Sequence, residues 1–195
     1  MRKAIPLVLA VAALVLSGGP ASGDGNHHQP PCDFLTGGGF IITTASGTHP
    51  PAKANFGVGG GCKHGSPTWG HLNYIDHFTG LHVHWTSITA YIFVDNNGGP
   101  DPKTRQPRGA RIICGTARTT HFGDVDFALL ARDKGEPGRD DEFVIRLKQS
   151  GVTVYTTEGD SDHTLGGSGA GGGNIQLHKP NPSTTGSFGG SCPAL

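Results

Sequence analysis

Long apolar runs, aromatic residues and methionine are all scarce in this sequence. Aromatic residues make up 7% of the chain, there is 1 methionine among 195 residues, and no apolar run after residue 16 is long enough to span a membrane. No segment shows a convincing 3.6-residue apolar period of helical length, which argues against a mainly helical fold. An excess of charge of one sign is also lacking, with 15 basic and 15 acidic residues, which argues against nucleic acid as a partner.

The one long apolar run lies at the N-terminus and is typical of a secretory signal. Arg2 and Lys3 precede an apolar stretch over residues 4–16, and small residues suited to a signal peptidase follow it, with cleavage expected near Ala21 or Gly23. The alternative of a membrane anchor is disfavoured because the run is too short to cross a bilayer comfortably. We therefore predict a signal peptide over residues 1–23, a flexible leader over 24–31, a secreted, extracellular domain over 32–179 and an irregular tail over 180–195, with no membrane span after cleavage.

All 4 cysteines lie beyond this signal, at Cys32, Cys62, Cys114 and Cys192. An even number in an exported chain predicts two disulfides, for which three pairings are possible. We favour Cys62–Cys114 together with Cys32–Cys192, because the second bond would tie the two ends of the domain together. A zinc-thiolate site is disfavoured, since no two cysteines have close ligand spacing.

Short segments with alternating apolar residues fill the remainder of the chain. In the segment EFVIRLK, Phe143, Ile145 and Leu147 share one face, and AKANFGV and DVDFALLA alternate in the same way. The 33 glycines and 14 prolines concentrate in the turns and loops between such segments. The pattern predicts an all-β fold, namely an antiparallel β-sandwich of the jelly-roll or Ig-like kind, with glycine-rich loops and two disulfides.

The stretch GHLNYIDHFTGLHVHW, residues 70–85, carries four histidines: His71, His77, His82 and His84. A three-residue loop over residues 78–80, with Gly80 in the left-handed conformation, would pair Asp76 with His82. Strand alternation would then put His82 and His84 on one face with Asp76, and the other two histidines on the opposite face. A plain polar strand face is the favoured interpretation. The alternative is a zinc site formed by His82, His84 and Asp76, with His64 as a possible fourth ligand.

A second group of possible metal ligands is the acidic segment DKGEPGRDDE, residues 133–142. Its carboxylates at Asp133, Glu136, Asp140 and Asp141 could hold calcium, although the spacing does not match the helix-loop-helix calcium pattern. The alternative is a solvated turn whose acids neighbour basic residues. We expect no cofactor, with calcium or zinc as the exceptions that these two segments would allow.

No set of residues has the spacing of an enzyme active site. The letters GSGAGG (167–172) precede a strand-like segment rather than a helix, so they do not predict a dinucleotide site. The acids and histidines show no spacing that joins them into a hydrolytic set. Trp69 and Trp85 could stack on a sugar, although the register above places Trp85 with the core.

Several ordered blocks carry a family resemblance. They are TGGGFI, AKANFGV, GHLNYIDH, LHVH, ITAY, CGTAR, DKGEPGRDDEF and GGGNIQLHK. Together they resemble the bacterial secreted post-COAP domain, which is named for following a "choice-of-anchor P" region in larger surface proteins. The likeness covers residues 32–179 and implies an extracellular, all-β domain without an assigned activity. The anchor-associated region is not recognisable here, so a free secreted form is expected.

These observations lead to three functional hypotheses. The first is a secreted, non-enzymatic β-sandwich with a structural or interaction role at or outside the bacterial cell envelope, whose partner is a protein or glycan at the cell surface. The second is an extracellular module that binds a divalent metal or a carbohydrate. The third, a secreted hydrolase, requires a nucleophile or a metal-bound water beside a base.

Overall fold

A computed structural model describes residues 30–168 and 171–195; the signal sequence and most of the leader predicted for residues 1–31 lie outside these ranges. Within them the chain forms strands and no helix, and consequently no helix suited to crossing a membrane is found there. The strands are β1 (Phe34–Thr43), β2 (Ala52–Lys63), β3 (Ser66–Asp76), β4 (Leu81–Phe93), β5 (Gly109–Thr119), β6 (Gly123–Asp133), β7 (Glu142–Gln149), β8 (Val152–Thr156), β9 (Gly173–His178) and β10 (Gly189–Gly190).

The strands form a single antiparallel sheet in which each of the first seven pairs with the next along the chain. β9 returns to pair with β1, and the short β10 pairs with β4. Local hairpin connections explain this order, since most turns hold glycine with positive φ, as at Gly80 and Gly151. The prediction of an antiparallel all-β fold with two disulfides is confirmed, and the arrangement is consistent with a sandwich.

The alternating segments bury one face of the sheet as predicted. Phe143, Ile145 and Leu147 of β7 are fully buried, and apolar residues from β1 to β9 join them in one core. Aromatic rings meet at its centre, where Phe56 stacks on Phe143 with ring centroids 4.0 Å apart. Burying each large apolar side chain of this kind contributes about 1.5–3 kcal/mol, so the inner face is the main source of stability.

The sheet curls until β9 approaches β6, and non-strand groups bridge the gap between the two ends of the sheet, which we call the seam. Phe143 N donates to His163 O at 3.0 Å, and Gly166 N donates to Phe40 O at 2.7 Å, so residues 163–166 link β7 to β1. Two carboxylates cover the free edge of β9, as described below. These contacts supply acceptors to backbone N–H groups on both sides of the seam.

The disulfides join Cys32 to Cys62 and Cys114 to Cys192, and the predicted pairing of Cys62 with Cys114 and of Cys32 with Cys192 is wrong. Cys32 lies two residues before the start of β1, whose hairpin partner is β2, and this pairing brings Cys62 within bonding distance. Two disulfides are typical of a protein that folds in an oxidising compartment.

The C-terminal residues cross the outer surface of the sheet. The bond from Cys192 attaches them to β5, and Ala194 packs in a small apolar cluster with Ala90, Cys114 and Ala128. Lys148 Nζ donates to the backbone oxygen of Leu195 at 2.6 Å. This tail thus covers the outer side of β4, β5 and β6.

Candidate functional site

The four histidines of residues 70–85 all lie on the outer side of the sheet. Asp76 pairs with Leu81 and Ile75 with His82, so the β3–β4 turn comprises residues 77–80 and is one residue longer than predicted. A one-residue change of register moves every side chain of a strand to the other face relative to its partner. The predicted division of the histidines between two faces is therefore wrong, because His71 and His77 share their face with His82 and His84.

Asp76 lies on the inner face, and the prediction that it joins His82 and His84 is wrong. It is fully buried, and its carboxylate accepts hydrogen bonds from Tyr155 OH at 3.0 Å and from the N–H groups of Phe78 and Thr79. Burial acts to raise the pKa of Asp76, but these bonds and the nearby His49 lower it overall. The two turn N–H groups on its side chain also explain the longer turn, since aspartate commonly closes turns in this way.

His49 completes the buried polar group around Asp76. Its Nε2 lies 3.1 Å from Asp76 Oδ2, and its Nδ1 lies 2.6 Å from the Pro50 carbonyl oxygen. Both ring nitrogens therefore face an oxygen atom, one of a backbone carbonyl and one of a carboxylate. The exposed ring of Phe78 stacks on it with centroids 4.6 Å apart. This buried group closes one end of the core. Because His82 lies on the outer face of the sheet, Asp76 and His82 cannot bind the same ion.

On the outer side, His82 and His84 border a shallow depression of about 360 Å³. Arg118 and Thr120 contribute to its rim, and His84 Nδ1 lies 2.6 Å from Asn73 Oδ1. His64, considered as a fourth ligand, lies on the β2–β3 turn, about 30 Å away along β3. Over residues 30–168 and 171–195, no group of three His, Cys, Asp or Glu side chains is placed to hold a metal ion.

Glycines on β2 form a low floor beside these histidines. Gly57, Gly59 and Gly61 occupy successive outward positions, and a Cβ atom on Gly59 would lie 2.9 Å from the His71 ring. A side chain on Gly61 would collide with Phe34. Because glycine has no side chain, the neighbouring rings can lie flat along the sheet at these positions.

An aromatic cluster lies at one end of this floor. Phe34 stacks on His178 at 4.5 Å and meets Trp69 edge-on at 6.2 Å, while Lys63 Nζ lies 4.3 Å from the Trp69 ring centre. Burial, followed by the charge of Lys63, lowers the pKa of His178 and favours its neutral form. All four side chains are partly exposed, so the cluster presents flat aromatic surface to solvent.

We call this whole surface, from His178 and Trp69 to His82, the glycine-floored face. Between its two ends it carries side chains with planar polar groups, namely Asn55, Asn73, Gln176, His71, His82 and His84. Sequence reasoning identified Trp69 and the histidines but missed Phe34, Lys63 and His178. The alternating glycines at positions 57, 59 and 61 were the available signal for the floor.

The acidic segment over residues 133–142 forms part of the seam. Asp133 Oδ2 accepts from Leu177 N and Asp141 Oδ2 accepts from Ile175 N, both at 2.8 Å. Glu136 accepts from the side-chain amide of Gln176 at 3.0 Å, and Asp140 is exposed. The carboxylates of Asp133 and Asp141 therefore act as backbone acceptors for the edge of β9, and no metal-binding arrangement is found among these four residues.

Asp141 makes the stability of the protein depend on pH. Burial raises its pKa from 3.8 to about 6, so the folded protein binds more protons than the unfolded chain between these values. By linkage, the free energy of unfolding contributed by this group is highest below pH 4 and falls by about 3 kcal/mol as the pH rises through 6. Asp133, whose pKa is also raised, acts in the same direction, whereas the lowered pKa of Asp76 affects stability only below pH 4.

Asp141→Asn is therefore expected to flatten the decline of stability between pH 4.5 and 7.5, as measured by urea unfolding at several pH values. The variant will be less stable at pH 4.5, because an amide offers one oxygen where the carboxyl group accepts from both Ile175 N and Lys134 N. Asp140→Asn, at the adjacent exposed position, is the control and should retain the slope. An unchanged slope in Asp141→Asn would contradict the assignment.

Comparison of the chain with protein-family models, with curated proteins and with solved structures found no match.

Proposed function

We propose that this chain is a secreted, non-enzymatic recognition domain that binds carbohydrate on its glycine-floored face. The observation that carries the proposal is the arrangement of flat aromatic and planar polar side chains around a floor without side chains. Export is supported by the signal-like N-terminus and by the two disulfides. The sequence resemblance to secreted post-COAP domains supports a role at or outside the bacterial envelope.

The chemistry of the face suits a sugar polymer. A pyranose ring has apolar C–H faces that stack on aromatic rings, and hydroxyl groups around its edge that donate and accept hydrogen bonds. Trp69 and Phe34 offer the stacking surface, while amides such as Asn73 and imidazoles such as His71 offer both donors and acceptors. The floor at Gly57, where a Cβ atom would meet nothing within 4 Å, leaves room for a chain to lie close to the backbone.

The absence of an assembled acid–base pair on this face supports a binding role over hydrolysis. Asp76 lies on the inner side, and Asp133 and Asp141 are occupied by backbone N–H groups. Within residues 30–168 and 171–195, the His82 and His84 side chains have no carboxylate within salt-bridge distance. Most glycosidases, by contrast, use two carboxyl groups that flank the scissile bond, one of them as the general acid.

Replacing Trp69 with alanine is expected to weaken carbohydrate binding by at least about tenfold, because a dominant aromatic contact typically carries about 2 kcal/mol or more and about 1.4 kcal/mol corresponds to tenfold. Binding is measured by affinity electrophoresis through gels that contain xylan, β-glucan, mannan or solubilised peptidoglycan. Retention of the wild-type protein in one gel and its loss in Trp69→Ala is the expected result.

Phe78→Ala is the matched control for this experiment. Phe78 is 56% exposed and stacks on His49 at the β3–β4 turn, away from the aromatic cluster. Its removal should leave retention unchanged. Equal loss in both variants, or no retention of the wild-type protein in any gel, would count against carbohydrate binding on this face.

A further inference from the structure

A cavity of about 280 Å³ opens at the end of the sheet where β1 and β5 begin and β9 ends. Its walls include five prolines, namely Pro30, Pro31, Pro100, Pro107 and Pro180. Proline rings are rigid and apolar, so this wall is formed before any ligand arrives. The cavity size is close to the lower end of the range for small-molecule sites, which fits a ligand of one ring.

Besides the buried Arg111, three cationic side chains surround the cavity: Arg105, Arg108 and Lys179. Among the described residues, none of the three has a carboxylate within 4.0 Å. Arg108 is held in place by hydrogen bonds from Nε to Gly99 O at 3.1 Å and from Nη2 to Asn97 O. The cavity therefore combines an apolar wall with positive charge that carboxylates in these ranges do not neutralise.

The nearest acids are already bound to other groups. Asp33 forms a buried ion pair with Arg111, and Asp95 Oδ2 lies 2.8 Å from Arg132 Nη1. The Asp101 carboxylate accepts from the backbone N–H groups at positions 103 and 104, at 2.8 and 2.7 Å. None of these three carboxylates lies within 4.0 Å of the cationic groups of Arg105, Arg108 or Lys179.

The backbone at Arg105 supports a role for its side chain. Its φ of 61° lies in the left-handed region, which is uncommon for a long side chain and is better suited to glycine. The loop fixes this conformation, because Arg105 N donates to Asp101 O and Asp101 N donates to Gln106 O, both at 2.8 Å. Gln106 in turn accepts from Lys179 N at 2.9 Å, which holds the loop against the end of β9.

We infer that this cavity is a second binding site, and that it takes a small organic anion: a single ring bearing a carboxylate. The ring would pack on the proline wall, and the carboxylate would accept hydrogen bonds from Arg105 and Lys179. Arg111 at the base adds no net charge, because Asp33 neutralises it. Charge-assisted hydrogen bonds to a guanidinium are about twice as strong as neutral ones, so the site discriminates by charge.

The test compares benzoate with benzamide, its neutral analogue of nearly the same shape, in titrations of the mature protein followed by NMR chemical shifts. Benzoate is expected to bind at least about tenfold more tightly, since a charge-assisted contact is worth more than about 1.4 kcal/mol. Equal binding of the two, or no shift at the residues around the cavity, would overturn the inference.

Arg105→Gly separates ligand recognition from folding. Glycine accepts the positive φ at this position without strain, so the melting temperature should not fall while benzoate binding weakens about tenfold. Lys103→Gln is the matched control, because Lys103 is an exposed cation of the same loop that does not line the cavity. Equal weakening by both variants would overturn the inference in favour of a diffuse charge effect. Trp69→Ala, which tests the glycine-floored face, should leave benzoate binding unchanged.

Discussion

Asp33→Ala is expected to lower the free energy of unfolding by about 3–5 kcal/mol. Its carboxylate is 2% exposed and accepts hydrogen bonds from Arg111 Nε at 3.2 Å, from Arg111 Nη2 at 2.5 Å and from Tyr91 OH at 2.8 Å. Without Asp33, the Arg111 guanidinium stays buried at 1% exposure, and its remaining partners among the described residues are the Asp95 and Ala110 carbonyl oxygens. An uncompensated buried charge explains the size of the loss, which urea unfolding followed by tryptophan fluorescence will measure.

Two further variants define the origin of this effect. Asp124→Ala removes an ion pair with Arg118 whose side chains are 82% and 75% exposed, so it should change stability by less than about 0.5 kcal/mol. Combining Asp33→Ala with Arg111→Met removes both buried charges and should recover part of the loss. A decrease of less than about 1 kcal/mol in Asp33→Ala would contradict the view that this pair is buried and tightly coupled.

The strands were predictable because their side chains alternate. The burial of Phe143, Ile145 and Leu147 follows directly from the sequence, and β-branched residues marked the segments without clear alternation. The register of the β3–β4 hairpin was not predictable from alternation alone. It depends on Asp76, whose side chain accepts N–H groups from its own turn and adds one residue to the loop.

The predicted disulfide pairing is wrong because of the topology of the sheet. No bond ties Cys32 to Cys192, because the β1–β2 hairpin pairs Phe34 with Gly61 and so brings Cys32 next to Cys62. Once that bond forms, Cys192 is left for Cys114. Closing the short loop of a hairpin costs less chain entropy than joining the two ends of the domain. The pairing of neighbouring strands therefore predicts the disulfides better than the distance between the chain ends does.

The candidate sites were only partly predictable. Trp69 and the four histidines were visible as residue types, but their gathering on one face depends on the register of two strands. The proline-walled cavity could not be found from the sequence, because its residues come from the start of β1, the β4–β5 loop and the end of β9. Three-dimensional closure of the sheet brings these distant segments together.

Replacing Cys114 and Cys192 with alanine is expected to lower the free energy of unfolding by about 4–5 kcal/mol, because the bond closes a long loop in the unfolded chain. The two cysteines are separated by 78 residues, compared with 30 for Cys32 and Cys62. The loop-closure model gives about 3.6 kcal/mol for the shorter loop, so the longer one should contribute roughly 1 kcal/mol more. Urea unfolding of the two double-alanine variants under non-reducing conditions makes the comparison directly.

The comparison also tests whether the C-terminal tail folds with the sheet. The loop-closure argument applies only if Ala194 remains packed against Ala90 and Ala128, and if Leu195 O keeps its contact with Lys148 after the bond is removed. Limited proteolysis of the variant without the Cys114–Cys192 bond should then leave the tail intact under native conditions. The opposite result would be rapid proteolysis of the tail together with a loss of stability smaller than that of the variant without the Cys32–Cys62 bond. It would show that the Cys114–Cys192 bond holds only the C-terminal tail, whose release leaves the core of the sheet folded.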